Sequence, residues 1–376
     1  MYKRIVNISL PKKASCFLWG PRQTGKSTLL RERFPTSRRY DLLLSDEYRR
    51  LMHQPSLIRE ECLALLNRGA LRDQPVIVDE VQKIPDLLDE IHWLIENKGL
   101  RFILCGSSAR KLKRGHGSLL GGRAIRYELF PLVFPEIPDF SLEKALNDGL
   151  LPPHYGSNMG RKRLEAYVGD YLKEEITAEA VTRNIPGFSR FLEIAAMANG
   201  EIIQFSNIAR ECGVSSPTVK SYYQILEDTL IGRFLTAFQK RPKRRVILTP
   251  RFYFFDVGVV GSLTRRGRVE QGSELFGKAF EHFIFMELSA HASYSGLKYP
   301  ISYWRTASQL EVDFVLGDHE VALEIKGTDF AQFHHLRLKS LGTANQKQKP
   351  MLLSVSRTPH NLDVRFFRIY VFSITS

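Results

Sequence analysis

Two glycines, a lysine and a hydroxyl are spaced in GPRQTGKST so that Gly20 is followed, after four residues, by Gly25, Lys26 and Ser27. Glycines at this spacing let a loop bring several backbone N–H groups onto one anion, because no Cβ blocks the approach. A helix that starts at the lysine adds its positive end at the same point. The chemistry this suits is the binding of ATP. Lys26 would reach the β- and γ-phosphates and the Ser27 hydroxyl would ligate Mg²⁺. The whole stretch Gly20, Pro21, Arg22, Gln23, Thr24, Gly25, Lys26, Ser27 and Thr28 forms the expected nucleotide loop. A buried strand from Cys16 to Trp19 leads into it, and the helix TLLRERF follows.

A second set of residues matches the first. PVIVDE, Pro75 to Glu80, reads as a fully buried strand that ends in two acids. Asp79 would hold the magnesium, directly or through water, and Glu80 sits where a general base can polarise the attacking water. A third strand, Arg101 to Ser108, carries Ser107 and Ser108 at its end. Ser108 (or Ser107) is placed to sense the γ-phosphate, although two serines in a strand-to-helix turn also serve as simple caps. Arg123 follows paired glycines, placed as an arginine finger would be to complete the site of a neighbouring copy. That role predicts a homo-oligomer; the other reading is a surface ion pair.

A separate group of acids lies near the other end. Glu281 is on an apolar-periodic helix, Asp313 lies on one strand, and Glu324 and Lys326 share one face of the next. Carboxylates so placed make an oxygen site suited to Mg²⁺ or Mn²⁺, with Lys326 set to activate or orient a water. The arrangement resembles the active site of PD-(D/E)xK nucleases, which predicts metal-assisted attack of water on a phosphodiester. A structural or regulatory metal site, or a surface that only binds DNA, is the alternative.

Between these sites the chain must supply elements that hold them. FSRFLEIAAMANGEIIQFSNIARECGVSSPTVKSYYQILEDTLI reads as three helices. One covers Arg190 to Ala198, one is capped by Ser206 and stopped by Gly213, and one starts at Ser215 or Ser216 with Pro217 in its first turn. This is a helix-turn-helix pattern, and Lys220 and Tyr222 on the third helix would face phosphates or base edges. Two strand-like runs then flank a basic tip with Lys240, Arg241, Lys243, Arg244 and Arg245. Together these predict a winged helix whose tip lies near a DNA backbone; a protein–protein winged helix used as a spacer is the other reading.

GPRQTGKST, VIVDEVQKIPDLLDEIHWLIE, FILCGSSARKL, LLGGRA and FPLVFPE together resemble one prokaryotic family of AAA+-type ATPases. Members of that family pair the ATPase with a C-terminal domain of unknown function that resembles restriction endonucleases. The resemblance runs over nearly the whole chain. It implies an α/β fold with an AAA+-like parallel-sheet P-loop domain over 1–140, a helical linker or lid over 141–185, a winged helix over 186–260 and a restriction-endonuclease-like α/β domain over 261–376.

Composition sets outer limits. A chain of 376 residues exceeds the size at which one core keeps growing, so several domains are expected. The formal net charge of +14 fits a polyanionic partner, double-stranded DNA being the expected one; a generally basic soluble protein would also carry it. The four cysteines lie far apart, against a disulfide framework or zinc knuckle and in keeping with a cytoplasmic setting. No apolar run reaches the roughly 18 residues of a spanning helix, so no membrane association is expected. Two functions follow from these readings. One is an ATP-driven machine that positions DNA and cuts it; the other is an ATP-dependent DNA- or protein-binding module whose nuclease-like part is not catalytic.

Overall fold

The computed structural model describes residues 2–10, 14–71, 74–108, 124–172, 184–238, 249–306, 311–317, 321–325, 348–353 and 367–373. The chain divides into two compact units. The first comprises residues up to Glu136 together with Gln224–Ile231; most of the remainder forms the second.

Short apolar runs dictate the first unit. β1 (Ser15–Trp19) and β3 (Val76–Asp79) are buried along their whole length, as is β4 (Phe102–Gly106). Strands that are apolar on both faces belong in the middle of a sheet covered by helices. They pair in parallel, and with β2 (Arg39–Asp41) and β5 (Ala124–Glu128) they form a five-stranded sheet of order β2-β3-β4-β1-β5. The half-exposed β5 lies at one edge. Helices α1 (Lys26–Arg33), α2 (Ser45–His53), α3 (Leu57–Asn67) and α4 (Leu87–Lys98) connect the strands. Apolar positions of α4 at helical spacing, Leu87, Leu88, Ile91, Leu94 and Ile95, are buried in the core with Phe17, Val78 and Leu104. Leu230, from the segment that returns to this unit, packs on the same core. The strand order leaves one strand, β4, between β1 and β3. Their carboxyl ends therefore converge, and in parallel sheets ligands bind there.

The second unit opens with α5 (Leu142–Asp148), α6 (Pro152–Tyr155) and α7 (Gly160–Ala166), the last continuing as a π-helical stretch to Leu172. Then come α8 (Ile185–Met197), α9 (Phe205–Cys212) and α10 (Ser216–Asp228), whose end from Gln224 belongs to the first unit. Gly213 ends α9 in the left-handed conformation. The Ser215 hydroxyl accepts from the Thr218 backbone and caps α10. Here α8 starts earlier than the periodicity suggests, because Asn184 accepts from the Gly187 N–H and Pro186 fits the first turn.

β6 (Gly232–Ala237) and β7 (Arg251–Phe254) form an antiparallel pair flanking the basic tip. They do not stand apart as an isolated wing. β6 pairs in parallel with β8 (Ile301–Arg305), which continues through β9 (Glu311–Leu316) and β10 (Val321–Glu324) to β12 (Phe367–Ser373) and β11 (Gln348–Leu353). The result is one seven-stranded sheet of order β11-β12-β10-β9-β8-β6-β7. Helix α11 (Val257–Leu263) and the long α12 (Glu274–Tyr294) follow β7 in the chain. Phe285 of α12 stacks on Tyr253 of β7 and on Phe314 of β9, which fixes the helix against the sheet.

Asp256, the cap of α11, is fully buried in this unit. Its two carboxylate oxygens accept from the Leu150 N–H at 2.7 Å and the Val259 N–H at 3.1 Å. Burial nevertheless pushes its carboxyl up to about 6. The folded chain thus binds the proton more tightly than the unfolded chain, so stability falls as pH rises through the window from 3.8 to about 6. The shift corresponds to about 3 kcal/mol. Asp256→Asn keeps one acceptor and loses this titration. Denaturant unfolding from pH 4 to 7 should show the wild type losing ground against the variant by that order, and a gap that stays flat would reject the assignment.

Candidate nucleotide site

Gly25 ends the loop at φ 91°, and α1 begins with Lys26. Gly20 is required by a close approach: a Cβ there would fall 2.4 Å from the Leu129 carbonyl oxygen. The Thr24 hydroxyl is buried and donates to the Pro21 carbonyl at 2.8 Å, so it braces the loop from within. Lys26 Nζ lies over the same loop, donating to the Gly20 and Pro21 carbonyls at 2.7 and 3.0 Å. Arg22, Ser27 and Thr28 are half-buried, Pro21 is buried and Gln23 is exposed.

The end of β3 comes to this loop. The Ser27 hydroxyl donates to Asp79 Oδ2 at 2.5 Å, although the two lie 52 positions apart in the chain. Two hard oxygen donors side by side at a phosphate-binding loop suit Mg²⁺. Glu80 follows at φ 58°, a left-handed conformation uncommon for glutamate, and is 5% exposed. Its backbone N–H donates to Asp79 Oδ1 at 3.1 Å.

Gln82, which the motif reading passed over, holds the side chain of this glutamate. Its amide donates to Glu80 Oε2 at 2.5 Å and to the Ser107 hydroxyl at 3.1 Å. Gln82 therefore joins the acid that ends β3 to the serine that ends β4. Ser107 and Ser108 are both buried, and Ser107 accepts from the Gln82 amide. Arg123 lies outside the described residues.

Residues 12–138 match the family model described as an AAA domain. This segment is an AAA-type P-loop ATPase domain. Residues 140–270 and 276–370 match two further models, each described as a domain of unknown function (DUF8612 and DUF4143). Two curated relatives, uncharacterized proteins of Mycobacterium bovis and Mycobacterium tuberculosis, are each 26% identical over 323 residues. Those alignments cover 83% of this chain and 70% of each relative. Among solved structures, a Walker-type ATPase of Pyrococcus abyssi is similar with a TM-score of 0.45 and 16% identity, over 66% of this chain and 90% of that one. The Orc1 protein of Aeropyrum pernix in complex with DNA has a TM-score of 0.27 and 12% identity, over 67% of this chain and 86% of that one.

The acids near the carboxyl end of the ATPase chain occupy a different setting. The antiparallel pairing of β10 with β9 runs to Leu323 opposite Phe314, next in the chain to Glu324 and Asp313. Asp313 Oδ2 accepts from the Ile325 backbone N–H at 2.6 Å. Glu281 is pushed up to about 7, chiefly by burial and next by the charge of Asp313. Its Oε1 is already engaged, accepting from the Tyr253 hydroxyl at 2.5 Å and pairing with Arg251 at 3.3 Å. Arg251, 4% exposed, also pairs with Glu311. Among the described residues no group of three histidine, cysteine or acidic side chains is arranged to hold a metal ion. Lys326 lies outside the described residues.

The expected nucleic-acid residues divide. Lys220 is exposed on α10, its ammonium 5.3 Å from the Phe205 ring centre. Tyr222 is only 4% exposed and packs against Phe188 and Phe191. Its ring belongs to the helical core and is not open to a base edge, which corrects the expectation for this residue. Lys240, Arg241, Lys243, Arg244 and Arg245 lie outside the described residues. No helix among the described residues is long and apolar enough to cross a membrane.

Proposed function

We propose that this ATPase is an ATP-dependent switch that engages nucleic acid through its second unit, with its acidic sheet serving in binding or regulation and not in cleavage. The observation that carries the second half is Arg251. A guanidinium already neutralises Glu281 and Glu311 beside Asp313, at the place where a nuclease would need free carboxylates. As arranged, the described acids do not suit a divalent ion. Nucleic-acid engagement is supported by the net charge of +14, by the helix pair α9–α10 with Lys220 exposed, and by the basic run between β6 and β7.

Cleavage is the second reading, and the place of Asp313 and Glu324 on the neighbouring strands β9 and β10 favours it. In that reading Glu281, Asp313 and Glu324 would hold Mg²⁺ or Mn²⁺ and Lys326 would orient water. Self-association through Arg123 belongs to either reading, and mass measurement with ATP tests it.

Incubating the full chain with plasmid, Mg²⁺ or Mn²⁺, and ATP distinguishes the two. The proposal expects DNA retention that weakens steeply with salt, and no nicking. Metal-dependent nicking that Lys326→Ala abolishes would establish the nuclease instead. Neither retention nor nicking across metals and nucleotides would sink both.

A further inference from the structure

The arm of residues 2–10 alternates, with Arg4, Val6 and Ile8 buried while Lys3, Ile5, Asn7 and Ser9 are exposed. An arginine on the inward parity is costly unless its donors are matched. Here they are. Nε donates to Glu136 Oε2 at 2.8 Å, Nη1 donates to the Thr24 carbonyl, and Nη2 donates to the Phe130 and Pro131 carbonyls at 2.7 and 3.1 Å. Glu136 is matched in turn, its Oε1 accepting from the Ile5 N–H at 2.8 Å and its Oε2 from the Val133 N–H at 3.2 Å. The paired side chains are 4% and 0% exposed. One guanidinium thus joins the arm, the nucleotide loop and FPLVFPE.

The contact with Thr24 matters most. The Thr24–Gly25 peptide is planar and trans, so its C=O and N–H point in opposite directions. A carbonyl held on one side by Arg4 sends the Gly25 N–H to the opposite side of the loop. Gly25 has no Cβ to resist a flip of this peptide, so the anchor must come from outside the loop. Since Glu136 balances the charge of Arg4, what the pair contributes is orientation.

We infer that Arg4 is a positioning residue for the nucleotide loop: without touching the nucleotide, it fixes the peptide whose N–H binds phosphate. This rests on ATP binding at Gly20–Thr28. Lysine at this position can keep the ion pair with Glu136, but a single ammonium cannot span Thr24, Phe130 and Pro131 as well.

The test uses the full chain, with a fluorescent ATP analogue titrated in Mg²⁺ and hydrogen exchange followed at the Gly25 amide. Arg4→Lys is expected to bind about tenfold more weakly, the effect of losing the charged hydrogen bond to Thr24, while the chain is less stable but still folded at the assay temperature. Exchange at Gly25 should accelerate. Glu136→Gln keeps an acceptor for Nε and should retain wild-type affinity. An Arg4→Lys chain that folds and binds as wild type does overturns the inference. So does equal loss in a folded Glu136→Gln chain, which would point to charge and not to the peptide anchor. Failure of both variants to fold also overturns it, since the pair would then hold only the fold. A wild-type chain that does not bind ATP, or a Lys26→Ala chain that binds it equally, would instead remove the nucleotide site on which the inference stands.

Discussion

Replacing Glu80 with glutamine is expected to lower ATP turnover by about 10²–10⁴-fold while leaving ATP affinity close to wild type. The substitution preserves size and one acceptor, so the bond from Gln82 can persist. What is lost is the capacity to take a proton from water. Glu80 is suited to that task by its place one residue beyond Asp79, whose carboxylate accepts from the Ser27 hydroxyl of the loop. Burial to 5% exposure shields it from bulk water. Single-turnover hydrolysis and equilibrium binding, measured on the same preparation, separate the two effects. Hydrolysis reduced by less than about threefold would move the base elsewhere.

The largest expected effect on stability comes from Arg251. Its side chain is 5% exposed, and the partner carboxylates of Glu281 and Glu311 are each 25% exposed. Removing one member of a buried ion pair leaves its partners charged without compensation, which costs about 3–5 kcal/mol. Arg251→Ala should therefore lower the unfolding free energy of the second unit, measured by urea titration, by that order. Adding Glu311→Gln should recover part of the loss, because that stranded charge is then gone. A cost under about 1 kcal/mol would mean that water already compensates these groups, and the acidic sheet would be more open than the ion pairs indicate.

How much of this could be read from the sequence depends on how locally each residue acts. Gly20, Gly25, Lys26, Ser27 and Asp79 are recognisable because backbone geometry and phosphate chemistry fix their spacing within short segments. The elements around them follow from apolar runs, as at β1, β3 and β4. Arg4 and Glu136 act across 132 positions, and no local pattern joins them. A faint sign exists in the alternation that sets Arg4 on the same parity as Val6 and Ile8.

Tyr222 shows a signal that could have been used. Val219, Tyr222, Tyr223 and Leu226 recur at helical spacing and are all buried, which assigns the tyrosine to the inner face of α10 and leaves Lys220 outside. Arg251 offered no such sign. It opens β7 just after a basic run and is easily counted with those solvent-facing charges, although its partners come from β9 and α12. Gln82 likewise stands in DEVQ as an ordinary amide, and its role appears only once β3 and β4 are neighbours.

The return of Gln224–Ile231 to the first unit has a consequence for how such a protein can be inherited and dissected. The ATPase unit is not a contiguous stretch of gene. A reading frame closed after Glu136 would still encode the nucleotide loop and its acids, but not Leu230, which packs on their core. Recombination that exchanged the front third of the chain for another would separate that leucine from the surface it fits. Successful exchanges should carry both segments together, so the two halves of this protein are bound to change as one lineage.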